Sequence, residues 1–156
     1  MTGDLQRLLY VSTLTPNAAA HLESTVRDIL IQSTANNSRD GLSGFLLCDG
    51  VGFVQAIEGP AEAVLICFDR IARDLRHGHL VVRIWKGAAT RQFPRWSMCA
   101  LTLSEVDDAL MHPPEIDFDW RTVEPEALLQ HLWSLAHRHA ADLDAQHTEM
   151  MASGRG

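Results

Sequence analysis

Residues 42–60, Leu42-Ser43-Gly44-Phe45-Leu46-Leu47-Cys48-Asp49-Gly50-Val51-Gly52-Phe53-Val54-Gln55-Ala56-Ile57-Glu58-Gly59-Pro60, read as two apolar strands joined by a turn. Asp49-Gly50 is a hairpin signal, because both residue types tolerate the positive φ that tight turns require. Residues 42–48 form one strand and residues 51–58 the next. Gly59-Pro60 breaks the run and opens a helix, since proline has no N–H to offer a sheet ladder. One residue is out of character. Gln55 stands in the middle of the second strand, where an amide without hydrogen-bond partners costs roughly 1–3 kcal/mol. Something polar must face it. The one tyrosine of the chain, Tyr10, lies in a second apolar strand, Leu8-Leu9-Tyr10-Val11-Ser12.

Outward from the hairpin, strands and helices alternate. Residues 8–13 read as strand one. Pro16, with Asn17 as cap, opens a helix whose Leu22, Val26, Ile29, Leu30 and Ser33 fall on one stripe. It is expected to stop near Ala35-Asn36-Asn37, with Asn37 readable as a plain cap. Val64, Phe68, Ile71 and Leu75 mark the buried stripe of helix two, which is read as ending in Asp74-Leu75-Arg76-His77. Residues 80–85 form strand four and residues 96–103 strand five, joined by a turn over 87–94. The order β-α-β-β-α-β-β predicts an α+β, ferredoxin-like sheet with two helices on one face. The crossover is expected to set strands one and three side by side and parallel.

Strands two and four are apolar on both sides, which calls for a cover on the other face as well. The C-terminal segment is the material left for it. Residues 104–111 read as a short helix stopped by Pro113-Pro114. Residues 125–148 read as a longer helix with a stripe of Leu128, Leu129, Leu132, Trp133, Leu135 and Ala136. An exposed apolar patch is expected on that last helix, and residues 152–156 read as a frayed tail. The parsing is a domain over 1–103 and a helical extension over 104–156.

With 156 residues and 46% hydrophobic content, the chain suits one core. A net charge of -7 without any Lys/Arg block argues against nucleic acid. No apolar run approaches the ~20 residues of a membrane span, and the N-terminus lacks a secretory signal pattern. A soluble, cytoplasmic protein is the expectation. Cys48, Cys67 and Cys99 form no CxxC pair and read as small core residues. His131, His137, His139 and His147 lack helical metal-ligand spacing and read as a polar helix face. No catalytic triad, P-loop or dinucleotide fingerprint is present, and no enzymatic activity is expected.

Strand alternation puts Leu8, Tyr10 and Ser12 on one face, and Phe53, Gln55 and Ile57 on one face. If the two strands are neighbours, the Tyr10 hydroxyl meets the Gln55 amide. That pair alone is equally consistent with a satisfied polar contact in a core. Ser33 and Asn37 share a helix face, Asp74, Arg76 and His77 end helix two, and Ile29 and Ile71 supply apolar walls. Together they outline a slot for a flat aromatic ligand with hydrogen-bonding edges. Trp96 and Met98, two apart on strand five, are expected to share a face.

These motifs resemble the BLUF family, the blue-light sensors that use FAD. The resemblance is carried by Leu9-Tyr10-Val11-Ser12, Asn36-Asn37-Ser38-Arg39-Asp40-Gly41-Leu42-Ser43-Gly44, the run from Phe53 to Pro60, Asp74-Leu75-Arg76-His77, and Phe93-Pro94-Arg95-Trp96-Ser97-Met98. It implies FAD, with FMN or riboflavin as substitutes, held noncovalently between helices one and two. Asn37 then looks like the partner of the flavin pyrimidine edge, and Gln55 like the residue between Tyr10 and the flavin. Ser33, Asn36, Asp74, Arg76 and His77 resemble further polar contacts, with Ile29, Phe53 and Ile71 as walls. The implied photochemistry uses Tyr10 as electron and proton donor, turns the Gln55 amide, and passes through Trp96 or Met98. Which of those two adjoins Gln55, and which end of the amide faces the flavin in the dark, stay open. The signal is expected to leave through strand five and the C-terminal helices to a separate signalling protein or through a homo-oligomer. An acylphosphatase-like enzyme and a metabolite-binding regulatory module are the rival readings of the same sheet.

Overall fold

The computed structural model describes residues 4–102 and 120–153. Its elements are β1 (Leu5–Leu14), α1 (Pro16–Ala20), α2 (Leu22–Asp40), β2 (Ser43–Cys48), β3 (Gly52–Pro60), α3 (Ala61–Ala72), β4 (His77–Gly87), β5 (Ala100–Thr102), α4 (Pro125–Arg138) and α5 (Ala140–Ser153). The five strands lie in the order β4-β1-β3-β2-β5. This is the expected α+β, ferredoxin-like arrangement.

The expected direction of β1 against β3 is corrected. The two are neighbours, but antiparallel. The α2 crossover returns β2 in the direction of β1, and the hairpin then folds β3 back between them. The register sets Tyr10 directly opposite Gln55. Residues directly opposite in a ladder point to the same face, so the parity argument survives the change of direction. Gly44 allows the tight approach of β2 to β3, because a Cβ there would stand 2.2 Å from the Ala56 carbonyl oxygen.

The helices also differ from the expected outline. Thr15, not Asn17, caps α1, its side chain accepting from the Ala18 N–H. Proline at N1 has no N–H, so the cap must precede it. The chain breaks at His21, and α2 then continues past Asn37 to Asp40, where Gly41 closes it at φ 74°. Asn37 is therefore a helix residue and not a cap. The α3 helix ends at Ala72, and His77 begins β4 instead of closing a helix. Residues 96–99 are not strand, and β5 begins at Ala100.

The centre of the sheet is covered on both faces, but β4, which was expected to be covered likewise, is an edge strand with only Ile84 buried. Leu8, Tyr10, Leu46, Phe53 and Ile57 pack with Val26 and Leu30 of α2 and Val64 and Cys67 of α3. Leu9, Val11, Phe45, Leu47, Val54 and Ala56 pack with Leu128, Leu129, Leu132 and Leu135 of α4. Every residue of β2 is buried, as a strand between two cores must be. Each such Leu, Phe or Val contributes about 1.5–3 kcal/mol by leaving water. The single long helix expected over 125–148 is two helices, with the break at His139. The α5 helix turns around the β5 edge, so that Leu143 lies in one core and Met150 in the other. Ala152 and Ser153 are helical, not frayed. The short helix expected over 104–111 falls outside the described residues. Among the described residues the exposed large hydrophobics are Val51, Leu65, Ile66, Leu75, Val81, Val82 and Trp85. They lie on the β2–β3 turn, α3, the α3–β4 turn and β4, and none of them is on α5.

Glu58, fully buried on β3, holds the loop after β4. Its carboxylate accepts from Arg7 Nε at 2.7 Å and from the Gln92 and Phe93 N–H groups at 2.8 and 2.6 Å. Glu58→Ala removes the carboxylate partner of the half-buried Arg7 guanidinium and leaves two amide hydrogens without their acceptor. A loss of about 3–5 kcal/mol is expected for a broken buried pair, read by urea unfolding. A loss below about 1 kcal/mol would show that the clamp carries little of the fold.

Candidate functional site

Between α2 and α3, above the β1–β3 pair, lies a cavity of about 210 Å³. Its lining includes Tyr10, Ile29, Ser33, Asn36, Asn37, Phe53, Gln55, Ile71, Asp74, Arg76 and His77. Each cofactor-site candidate read from the sequence thus reaches one space. Two helix faces supply half of it. Ile29, Ser33, Asn36 and Asn37 recur at helical spacing on α2, and Ile71 stands on α3.

At the floor, the Tyr10 hydroxyl donates to Gln55 Oε1. The other end of that amide, Nε2, donates to Met98 Sδ at 3.3 Å. Both ends of a 4% exposed amide are thereby satisfied. Burial, with Cys67 and Asp74 nearby, raises the Tyr10 phenol pKa far above its ordinary value. Tyr10 stays protonated and remains a donor.

At the α2 wall, Asn37 Nδ2 donates to the Ser97 carbonyl at 3.0 Å. Cys67 Sγ lies 4.0 Å from Asn37 Oδ1. Burial pushes the Cys67 thiol up to about 11, keeping it protonated. His77 approaches the Ile71 carbonyl through Nε2 and Ser12 Oγ through Nδ1, both at 2.7 Å. A carbonyl only accepts, so Nε2 carries the hydrogen, and Nδ1 of a neutral ring accepts from the hydroxyl. The ring sits edge-on to Tyr10 at 6.1 Å and tilted to Phe53 at 6.0 Å.

The rim is charged. Asp74 Oδ1 accepts from the Arg76 backbone N–H at 2.9 Å, while Arg76 Nη2 meets Asp74 Oδ2 at 2.5 Å. Burial pulls the Asp74 pKa up, but the Arg76 hydrogen bonds outweigh it and hold the carboxyl below its ordinary range. The same pairing raises Arg76.

The structure separates Trp96 from Met98. Met98 lies in the core beneath the cavity, whereas Trp96 lies in the core on the other face. Trp96 Nε1 donates to Asp144 Oδ1 at 2.8 Å. The expected shared face fails because residues 96–99 are not a strand, so no alternation governs them. Gln32, Leu46, Cys67, Arg70 and Arg73 also line the cavity and were missed in the sequence. Gln32 was findable, three residues from Ile29. Cys67 was findable, four before Ile71. Leu46, Arg70 and Arg73 carry no such signal. Among the described residues no cluster could hold a metal ion and no helix is long and apolar enough to cross a membrane.

Because Tyr10 is the one tyrosine, tyrosinate absorbance reports this group alone. The native fold holds the neutral phenol, so its stabilising effect is full below pH 10.0, the ordinary value, and is lost as pH rises beyond it. The folded chain should show no tyrosinate step at pH 10.0 and the urea-unfolded chain should show one. A folded-state step there would contradict the buried setting.

Comparison with known proteins gives a consistent result. A family model described as "Sensors of blue-light using FAD" matches residues 5–99. The chain is 32% identical over 114 residues to photoactivated adenylate cyclase subunit alpha of Euglena gracilis, covering 72% of this chain and 11% of that protein. It is 31% identical over 87 residues to the blue light- and temperature-regulated antirepressor BluF of Escherichia coli (strain K12), covering 54% of this chain and 22% of that one. The chain thus spans only about a tenth to a fifth of these curated relatives. Among solved structures, BlsA in its photo-activated state superposes with a TM-score of 0.71 at 26% identity, covering 82% of this chain and 91% of that one. The dark-state structure of BlrB gives 0.67 at 29%, covering 86% and 98%.

Proposed function

The chain belongs to the BLUF family of blue-light sensors that use FAD, and from that premise we propose that the α2–α3 cavity holds the ring system of FAD and that Gln55 is its light switch. The observation that carries this reading is the two-ended Gln55 amide, bonded to Tyr10 on one side and Met98 on the other. The residues fit the cofactor. A space of about 210 Å³ is smaller than the ~300–1,000 Å³ that encloses a whole drug-sized ligand. It suits a flat ring with the remainder outside. Ile29, Phe53, Leu46 and Ile71 offer apolar walls, Asn37 and Gln55 offer amide edges, and Arg70, Arg73 and Arg76 add cationic groups to the lining that would suit phosphates.

When bound, the flavin supplies a blue-light-absorbing group that becomes a strong oxidant. Tyr10 would be the residue that donates an electron to that group, and its hydroxyl proton would move along the hydrogen bond to Gln55 Oε1. Return of both to Tyr10 would leave no net redox change. The Gln55 amide is left turned or tautomerised, with donor and acceptor ends exchanged. Asn37 and Ser33 hold the ring in register, and His77, Arg76 and Asp74 close the rim. The buried floor keeps water from competing for the amide. We assign residues 1–103 to the sensor and 104–156 to its output. The reader of the switch is proposed as a partner protein.

Two substitutions test the switch. Gln55→Leu should leave the chain yellow and abolish the reversible red shift of its flavin bands under blue light. A normal shift in that variant would sink the mechanism. Tyr10→Phe should bind flavin and lose the photocycle by at least about tenfold in quantum yield, measured by flash spectroscopy, because no second tyrosine exists to replace it. A colourless purified protein would instead favour the metabolite-binding reading.

A further inference from the structure

The segment 95–100 joins the cavity to α5. Met98 alone points to Gln55, with the thioether accepting from Nε2 at 3.3 Å. Its neighbours on both sides are held by α5. Asp144 binds Arg95 and the Trp96 indole. Cys99 Sγ donates to the Leu143 carbonyl at 3.2 Å. The Gln146 amide pairs with both the N–H and the carbonyl of Ala100, at 2.8 and 3.0 Å. Such an amide closes the open β5 edge as a strand would.

Ser97 differs from these neighbours because it is bound from both directions. Its carbonyl accepts from Asn37 Nδ2 at the cavity wall, at 3.0 Å. Its N–H and hydroxyl converge on His147 Nε2, at 3.3 and 2.9 Å. A backbone N–H can only donate, so Nε2 is an acceptor and the ring hydrogen lies on Nδ1. One residue therefore touches a cavity-lining side chain with one group and the output helix with two.

We propose that His147 is the positioning residue through which α5 reads the cavity, by way of Ser97. This rests on the light-switch reading of Gln55 and adds its first relay step. In the present arrangement Gln55 offers Met98 an N–H donor. A turned amide offers it a carbonyl oxygen, and two electron-rich atoms then face each other. Met98 must move, and the adjoining Ser97 cannot follow while keeping both Asn37 and His147. The longer N–H contact to His147 at 3.3 Å is the weaker anchor. It yields first, and α5 loses a tie to the sheet.

The test is amide hydrogen exchange of the flavin-loaded full chain in the dark and under blue light, with absorbance recorded on the same samples. In the unmodified chain, light should shift the flavin bands and speed exchange over α5. His147→Leu fills the volume without an acceptor. It should keep the band shift and lose the light-dependent change over α5. His147→Gln, whose amide oxygen can accept from Ser97, should restore it. An α5 response in His147→Leu equal to the unmodified chain's overturns the proposal, as does a loss that His147→Gln does not repair. If His147→Leu fails to bind flavin, His147→Ala, which also removes the acceptor of the Ser97 N–H, takes its place, and a full α5 response there is equally fatal. A band shift without any α5 response in the unmodified chain defeats only this inference. No band shift at all defeats the light-switch reading itself.

Discussion

One buried amide organises this molecule. Gln55 lies at the centre of a five-stranded sheet, in a strand that is otherwise apolar, and an amide there must have partners or cost the fold about 1–3 kcal/mol. The antiparallel register of β1 and β3 supplies the first partner by setting Tyr10 directly across the ladder. The second, Met98, comes from a segment 43 residues further on. Exchanging the two ends of the amide leaves the same atoms and the same shape. It changes which neighbour receives a donor. The proposed light switch at Gln55 rests on that asymmetry.

The second partner is held from a distance. Met98 reaches Gln55 because the irregular segment before β5 is tied to β2 by two backbone bonds, Gly44 N–H to the Trp96 carbonyl and Leu46 N–H to the Cys99 carbonyl, and otherwise by side chains. From one end, Glu58 draws in the Gln92 and Phe93 N–H groups. From the other, Asp144, Gln146 and His147 fasten residues 95–100 to α5. The Asp144 carboxyl, hydrogen-bonded first by Trp96 and then by Arg95, lies below its ordinary range and stays charged. Burial, partly offset by Asp144, depresses the His147 pKa and favours the unprotonated ring that Ser97 requires. The cavity floor and α5 therefore share one short stretch of chain.

Much of the site was legible in the sequence. Amphipathic spacing on α2 identified Ile29, Ser33 and Asn37, and the polar residue in an apolar strand identified Gln55 and, through it, Tyr10. The same reasoning failed where local periodicity is absent. Trp96 and Met98 were placed on one face by assuming a strand that does not form. Asn37 was readable as a cap, because the Gly41 residue that ends α2 lies four positions beyond it. The direction of β3 was misjudged because a crossover constrains β1 against β2, and the hairpin then inverts β3.

The sequence by itself determined which residues share a face wherever a strand or helix is regular, since side-chain direction there follows from backbone period alone. It thus determined the Tyr10–Gln55 pair and the α2 wall of the cavity. Only the tertiary structure decided that Met98 and not Trp96 adjoins Gln55, and that Ser97 stands between Asn37 and His147. Those positions lie on irregular backbone. Its course is set by hydrogen bonds to residues 35 to 60 positions away, and no local pattern encodes them.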